Sequence, residues 1–249
     1  MSQPFVSIIT VVYNAKSALE ATIANIISQT SKSFEYIVID GGSTEGTVDV
    51  IKKNQEHIAY WISERDNGLY DAMNKGLRVA KGKFIWFMNA GDLIYDNKVI
   101  ENLEKLYTPD TDVFYGETIM IDEQGTVIGD RRLKAPEKLT YKNLSMGMVV
   151  CHQSFIVKRE CCDFYNTDYK IAADIEWMIN ALKKSNKVVN THQYITRFKE
   201  DGLSKKNISR SLRERFKIMI HHFGFFTTLI NHFRLGTNFI FYVIKHGRF

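Results

Sequence analysis

The chain has 249 residues, 45% of them hydrophobic and 24% charged, with 15 Gly and 3 Pro. That balance excludes a disordered, collagenous or low-complexity chain and fits an α/β domain with a sizeable core, alone or with an appendage. The net charge of +5 is unevenly placed: Leu203 to Phe249 carries nine Lys or Arg against the single acid Glu214 (+8), leaving the preceding residues at −3.

Repeated βα units are expected over the first hundred residues. Val6 to Val12 is a β-branched run too continuously apolar for a strand wet on one face, which predicts burial on both sides of a parallel sheet. Asn14 precedes a helix with Leu19, Ile23, Ile26 and Ile27 on one face. Tyr36 to Ile39 is a second strand ending at Asp40, followed by the turn Gly41-Gly42-Ser43-Thr44 and a short helix from Thr47 to about Asn54. Ile58 to Ile62 reads as a third strand, Leu69 to Ala80 as a helix stopped by Lys81-Gly82, and Phe84 to Met88 as a fourth strand. Polar residues gather at Asn14, Asp40 to Thr44 and Asn89 to Asp92, all after the C-terminal ends of strands, where open parallel sheets bind ligands.

Beyond Asp92 the regularity falls off. A helix is expected over Val99 to Tyr107, a short strand over Asp112 to Tyr115, and a hairpin over Thr118 to Gly129 with Gln124-Gly125 at its turn. His152 to Val157 reads as a strand and Ile175 to Leu182 as a helix; from about Ser204 the pattern is helical and rich in Phe, His and basic residues. The 3 Cys are odd in number and too few for a disulfide scaffold, and Met1 to Phe5 lead straight into the first strand. A reducing, cytoplasmic setting is the expectation. Adjacent Cys161 and Cys162, without Cys-x2-Cys pairs, argue against zinc at Cys151 and His152. The first strand is followed by Asn14-Ala15-Lys16-Ser17 rather than a Gly-x-Gly-x-x-Gly turn, which disfavours a dinucleotide-binding dehydrogenase.

Val6 to Asn14, then Asp40-Gly41-Gly42-Ser43-Thr44-Glu45-Gly46-Thr47, then Ser63 to Gly76 with Tyr70-Asp71-Ala72-Met73-Asn74-Lys75-Gly76, then Asn89-Ala90-Gly91-Asp92 form an ordered series over residues 6 to 92. It resembles the opening of family 2 glycosyltransferases of the GT-A fold, in particular the bacterial surface-polysaccharide (colanic acid or exopolysaccharide type) branch. The resemblance implies an α/β GT-A fold, a mostly parallel sheet with helices on both faces. Residues 1–202 would be catalytic (1–95 nucleotide-binding, 96–202 acceptor half) and 203–249 a basic, aromatic helical tail. It implies a UDP- or GDP-linked sugar donor, a glycan or lipid-linked acceptor, and a divalent cation, Mn²⁺ or Mg²⁺. Tyr13 would lie against the base, Asp40 would hydrogen-bond it, and Gly42 would let the backbone approach. Gly41 replaces the second acid of the usual pair. Asp92 is the one aspartate kept of the family's metal motif, with Asn89 and Gly91 where acids often stand.

One carboxylate is enough in principle, because Mg²⁺ and Mn²⁺ take phosphate and water oxygens as well. Asp66, Asp71, Asn74 and Asn89 are candidate donor contacts, although Asp71 and Lys75 also suit an ordinary i,i+4 ion pair. Further on, Gly147 to Phe155 and Tyr169 to Trp177 resemble the family's acceptor-side His-Gln segment and the acidic helix start that carries its base. His152 and Gln153 are thus candidate acceptor-side residues, and Asp174 is the candidate base of an inverting transfer, with Glu176 as its competitor. As a helix N-cap, Asp174 would be kept ionised by the helix dipole; a cap with no chemical duty is the plain alternative.

The tail's longest stretch free of charge and histidine, Leu235 to Ile244, is shorter than the roughly 20 residues of a spanning helix. Its aromatics (Phe223, Phe225, Phe226, Phe233, Phe239, Phe241, Tyr242) interleave with Arg234, Lys245 and Arg248. That pattern suits either an anionic membrane surface at the inner face of the cell membrane, or packing on the body or a homodimer contact. No nucleic-acid module accompanies the basic residues. A different class of function, a carbohydrate- or nucleotide-binding module without turnover, is motivated by the reduced acidic motif.

Overall fold

The computed structural model describes residues 3–122, 124–199 and 207–246, with backbone alone for Gly236 and 238–246. The N-terminal half is the expected βα series: β1 (Val6–Val12), α1 (Lys16–Ile27), β2 (Phe34–Asp40), α2 (Thr47–Lys53), β3 (Tyr60–Ser63), α3 (Leu69–Val79) and β4 (Phe84–Phe87). β3, β2, β1 and β4 lie side by side and parallel. Every residue of β1 is buried, and alternate side chains serve different layers, as the two-residue period of a strand requires. Val6 and Ile8 pack with Leu19, Ile23 and Val50 of α1 and α2. Ile9 and Val11 pack with Met73 of α3 on the opposite face.

The second half comprises β5 (Leu93–Ile94), α4 (Val99–Leu106), β6 (Val113–Ile121), β7 (Val127–Asp130), β8 (Phe155–Lys158), α5 (Ala173–Lys184) and β9 (Val188–Lys199). The sheet continues β4-β8-β6-β9-β5, with β7 as the hairpin partner of β6. β8 is antiparallel to β4 and β6, whereas β9 runs parallel to β6. His152–Ser154, expected as the start of a strand, is a 3₁₀ turn leading into β8. The tiny strand β5 follows Asp92 directly and pairs with Thr196 and Arg197 near the end of β9, which brings the end of β4 beside Lys199.

The C-terminal segment is not a free tail along its whole length. α6 (Ile208–Phe223) buries Ile218 and Met219 in the layer that holds α3 and α5. Its Glu214 carboxylate accepts the backbone N–H groups of Lys170, Ile171 and Ala172 (2.8–3.1 Å), which lead into α5, and the Nε–H of Arg210 at 2.9 Å. Burial alone would raise the Glu214 pKa, but these donors outweigh it and hold the group below its ordinary value of 4.5. A depressed carboxylate contributes stability that is present above its unfolded pKa and lost as pH falls through the folded one. Glu214→Gln should therefore lower stability by about 2 kcal/mol at neutral pH, a fall in Tm of roughly 4–8 °C. The difference from wild type should shrink in melts recorded at progressively lower pH below 4.5, where wild-type Glu214 itself protonates.

α7 (Phe225–His246) has the reverse of a soluble helix's polarity. Thr228 and Asn231 face inward, Asn231 donating to the Ser145 carbonyl at 3.2 Å, while Phe225, Phe226, Leu229, Ile230 and Phe233 are exposed. Phe239, Phe241, Tyr242, Lys245 and Arg248, part of the expected aromatic and basic pattern, lie outside the described side chains. Among the described residues no helix is long and apolar enough to cross a membrane.

Candidate active site

The strand ends of β1, β2 and β4, the start of α5, the end of β9 and one turn of α6 enclose a cavity of about 1150 Å³. At one end stand Tyr13, Gly41, Gly42, Arg65 and Asp66. Tyr13 is 65% exposed, a flat ring free to receive another. Asn14, at φ 46°, accepts the Thr44 N–H at 2.9 Å through its side-chain oxygen and donates its own N–H to Ser43 Oγ at 2.7 Å, tying the two loops together. Asp40 differs from its expected role. It is wholly buried, and its carboxylate accepts hydrogen bonds from the N–H of Gly42 and Ser43 and from the hydroxyls of Ser43 and Ser63. It builds the turn that presents Gly41 and Gly42 to the cavity rather than offering a free acceptor to a base. Gly42 needs its left-handed φ of 82°. A side chain at Gly41 would put its Cβ 3.0 Å from Asp66 and 3.3 Å from the Tyr13 ring, so an acid there would require both side chains to shift.

The candidate donor contacts separate into two sets. Asp66 and Asn89 line the cavity; Asp71 and Asn74 do not. Asp66 is raised by burial, an effect the Lys75 ammonium at 2.6 Å opposes. Lys75 also holds Glu64 at 2.8 Å, leaving Asp71 at 3.9 Å, so the i,i+4 pair is the weakest of its contacts. Asp71 instead accepts the Asn67 N–H at the start of α3. Asn74 is buried and clamps the backbone of Tyr165 with both ends of its amide, donating to the carbonyl at 2.9 Å and accepting the N–H at 2.7 Å. Its role is to join the two halves of the domain, and its expected donor contact is set aside.

Asp92 also lines the cavity. Its carboxylate accepts from Gln153 Nε2 at 2.9 Å and from the Lys199 N–H at 3.3 Å. Burial nevertheless pushes its pKa up to about 7, because those donors and the Lys199 charge offset only part of the desolvation. Three residues earlier, the buried side-chain oxygen of Asn89 has no partner among the described residues. A buried carboxylate short of positive charge and an orphaned amide oxygen facing one cavity form an oxygen donor set that fits a hard divalent cation. Among the described residues no cluster of three His, Cys, Asp or Glu could hold a metal, so such a cation would take its remaining ligands from substrate and water. Gln153, expected on the acceptor side, is thereby a direct neighbour of Asp92.

Asp174 lines the same cavity. The N-cap of α5 is Ala172, so Asp174 sits inside the first turn rather than at the cap, one oxygen accepting the Ile175 N–H at 2.9 Å. An acid in the first turn keeps the favourable helix-dipole interaction while its other oxygen is open to the cavity. Glu176 turns away towards His222, at 3.9 Å, and is not in the cavity wall. His152 lines the cavity but is buried among Phe87, Tyr165 and Trp177. Burial lowers its pKa to about 4, so the ring is neutral near pH 7, sharing a hydrogen bond with the Tyr165 hydroxyl at 2.7 Å. Cys151 is buried and free, Cys161 is buried, and Cys162 is partly so. Sequence reasoning passed over Arg65, Arg131, Lys170, Lys199 and Arg215, all in the cavity wall. Arg65 and Lys170 lie inside the quoted stretches, Arg131 and Arg215 sit among other basic residues, and no spacing singles any of the five out.

A mixed sheet with a parallel N-terminal half, and a cavity at its strand ends lined by Asp66, Asp92 and the helix-borne Asp174, is the arrangement of a GT-A glycosyltransferase. Residues 7–163 match the glycosyl transferase family 2, and the chain belongs to that family. It is 31% identical over 185 residues to an uncharacterized glycosyltransferase of Mycobacterium tuberculosis, covering 72% of this chain and 70% of that one. It is 28% identical over 228 residues to the PGL/p-HBAD biosynthesis glycosyltransferase of Mycobacterium bovis (86% and 85%). The Bacillus subtilis protein TuaG, named for teichuronic acid biosynthesis, is 26% identical over 188 residues (73% of each).

Among solved structures, Staphylococcus aureus TarS 1-349 in complex with UDP-GlcNAc superposes with a TM-score of 0.66 at 15% identity, over 86% of this chain but only 66% of that fragment. The mannosyltransferase PcManGT of Pyrobaculum calidifontis, in complex with GDP-Man and Mn²⁺, gives 0.61 at 18%, over 100% and 77%. These likenesses extend the fold assignment to the whole chain.

Proposed function

We propose that the chain transfers a sugar, with inversion, from a UDP- or GDP-linked donor to a hydroxyl of a glycan or lipid-linked acceptor in the synthesis of a bacterial surface polysaccharide. One observation carries the reading: a single cavity is lined both by the Asp92–Asn89 oxygen pair at the end of β4 and by Asp174 in the first turn of α5. Tyr13 and the Gly41-Gly42 turn receive the nucleotide, and Asp92 and Asn89 would hold a divalent cation. Such a cation offsets the negative charge that gathers on the departing diphosphate. Asp174 takes the proton of the acceptor hydroxyl as its oxygen attacks the anomeric carbon opposite the leaving phosphate. Neutral His152 and the rings around it wall off that side of the cavity from water. The relatives named for PGL/p-HBAD biosynthesis and for teichuronic acid biosynthesis, and the solved neighbours in complex with UDP-GlcNAc or with GDP-Man, support the substrate class.

The test is donor turnover, including slow hydrolysis without acceptor, followed with UDP- and GDP-sugars in Mn²⁺ and in chelator. Metal-stimulated release of nucleoside diphosphate is expected. Nucleotide binding with no turnover of any donor would instead favour the non-catalytic module, the reading that Asn89 and Gly91 at acidic positions suggest.

The outward apolar stripe of α7 supports attachment to an anionic membrane, where a lipid-linked acceptor resides. Phe226 and Phe233, 79% and 74% exposed, should each contribute. The double substitution Phe226→Ser/Phe233→Ser is expected to lower binding to anionic vesicles at least ten-fold in sedimentation, with donor hydrolysis unchanged. Undiminished vesicle binding would count against this surface.

A further inference from the structure

We infer that Arg131 and Arg215 form a subsite for a phosphoryl group carried by the acceptor, apart from the donor's diphosphate. The inference rests on the glycosyl-transfer reading of the cavity. Arg131 follows β7 and donates through Nη2 to the Met148 carbonyl at 2.5 Å, which fixes the guanidinium. Its Nη1 is buried without a partner among the described residues, and so is Nε of Arg215 on α6. Both side chains line the cavity, and burial, with the Arg215 charge adding to it, lowers the Arg131 pKa from its ordinary value.

Nearby acids are already engaged. Glu214 is taken up by Arg210 and the backbone ahead of α5, and Glu117 accepts the Ala135 N–H. Two half-buried cations in one wall, each with a buried N–H unspent, are costly unless an anion completes them. N–H groups arriving from two separate elements suit a tetrahedral oxyanion, to which guanidinium is well matched.

The position assigns that anion to the acceptor. Arg131 follows β7, the partner of β6 and well along the sheet from β1 and β2, while Arg215 adjoins Glu214, which holds the backbone of Lys170, Ile171 and Ala172 just ahead of Asp174. The pair therefore sits on the Asp174 side of the cavity. Tyr13, Gly41 and Gly42, from β1 and β2, mark the nucleotide end. A charged group held beside the base belongs to the molecule whose hydroxyl the base deprotonates.

Isothermal titration of the full chain with inorganic phosphate, alone and with saturating UDP or GDP plus Mg²⁺, tests this. Phosphate should bind in both conditions. Arg131→Gln and Arg215→Gln should each weaken it at least ten-fold while nucleotide affinity stays within two-fold, which also shows that the variants are folded. Phosphate binding equally well to the Arg131→Gln/Arg215→Gln double variant, or expelled by nucleotide in simple competition, would overturn the subsite. Phosphate held by the pair in a chain that binds neither nucleotide would leave the anion site standing and defeat the donor reading. Displacement of the phosphate by a short-chain prenyl diphosphate points to a lipid-borne group, and by a glycerol phosphodiester to a polymer backbone. Displacement by neither would overturn the assignment to the acceptor.

Discussion

Asp174→Asn is expected to lower turnover by roughly 10²–10⁴-fold, the usual contribution of a positioned proton acceptor, while donor affinity changes by less than about two-fold. The amide is nearly isosteric and can still accept the Ile175 N–H, so α5 should start where it does now. What disappears is the basic oxygen facing the cavity. Because that oxygen acts on the acceptor proton only as the bond forms, its loss should appear in kcat rather than in donor binding. Titration calorimetry with nucleotide and a steady-state assay on the same preparation separate the two quantities. Glu176→Gln is the control: its side chain points to His222, outside the cavity, and activity should be retained. Loss of activity in that variant, with Asp174→Asn active, would exchange the two roles.

The second large effect is at Asp92. Replacement by Asn should reduce kcat/KM by about 10²–10³-fold, comparable to removing a principal electrostatic contact at a developing anion, and should weaken Mn²⁺ binding in the presence of nucleotide. Asn89→Ala, which removes the unpartnered oxygen but leaves the carboxylate, should have a smaller effect of the same kind. Neither substitution should unfold the metal-free chain. Asp92 is a buried charge whose hydrogen bonds only partly offset its desolvation, so a neutral amide there removes an unfavourable element of the fold. Melting temperatures equal to or above wild type, together with lost activity, are the expected combination.

The contrast between the two halves of the chain shows what the sequence carries. β1 to β4 were legible because continuous apolar runs such as Val6 to Val12 and Phe84 to Met88 describe strands buried on both faces, and glycine-marked turns separate them from amphipathic helices. β9 was missed. Its Asn190, Thr191, His192 and Gln193 break any two-residue period, and the strand is held by its pairing with β6 rather than by its own pattern. The pairing of β5 with β9, which sets Asp92 beside Lys199, is likewise a long-range event that no local window records.

Tyr13, Gly42, Asp92 and Asp174 were singled out because they stand at strand or helix ends with matching neighbours, and all four line the cavity. Asp40 and Asn74 carried the same signal, but the structure shows them bonded to their own surroundings. A polar residue that builds a site and one that touches the ligand are written in the same letters. Arg131 and Arg215 show the converse. They come from a hairpin edge and from the supposed tail, and only folding brings them to one wall.

Anomalous diffraction from crystals grown with Mn²⁺ and either UDP or GDP tests the central claim most directly. A manganese peak within coordinating reach of the Asp92 carboxylate and Asn89 Oδ1, with the diphosphate completing its shell and the base against Tyr13, is the predicted result. A bound nucleotide whose diphosphate lies away from Asp92, or manganese held elsewhere in the cavity, would contradict it.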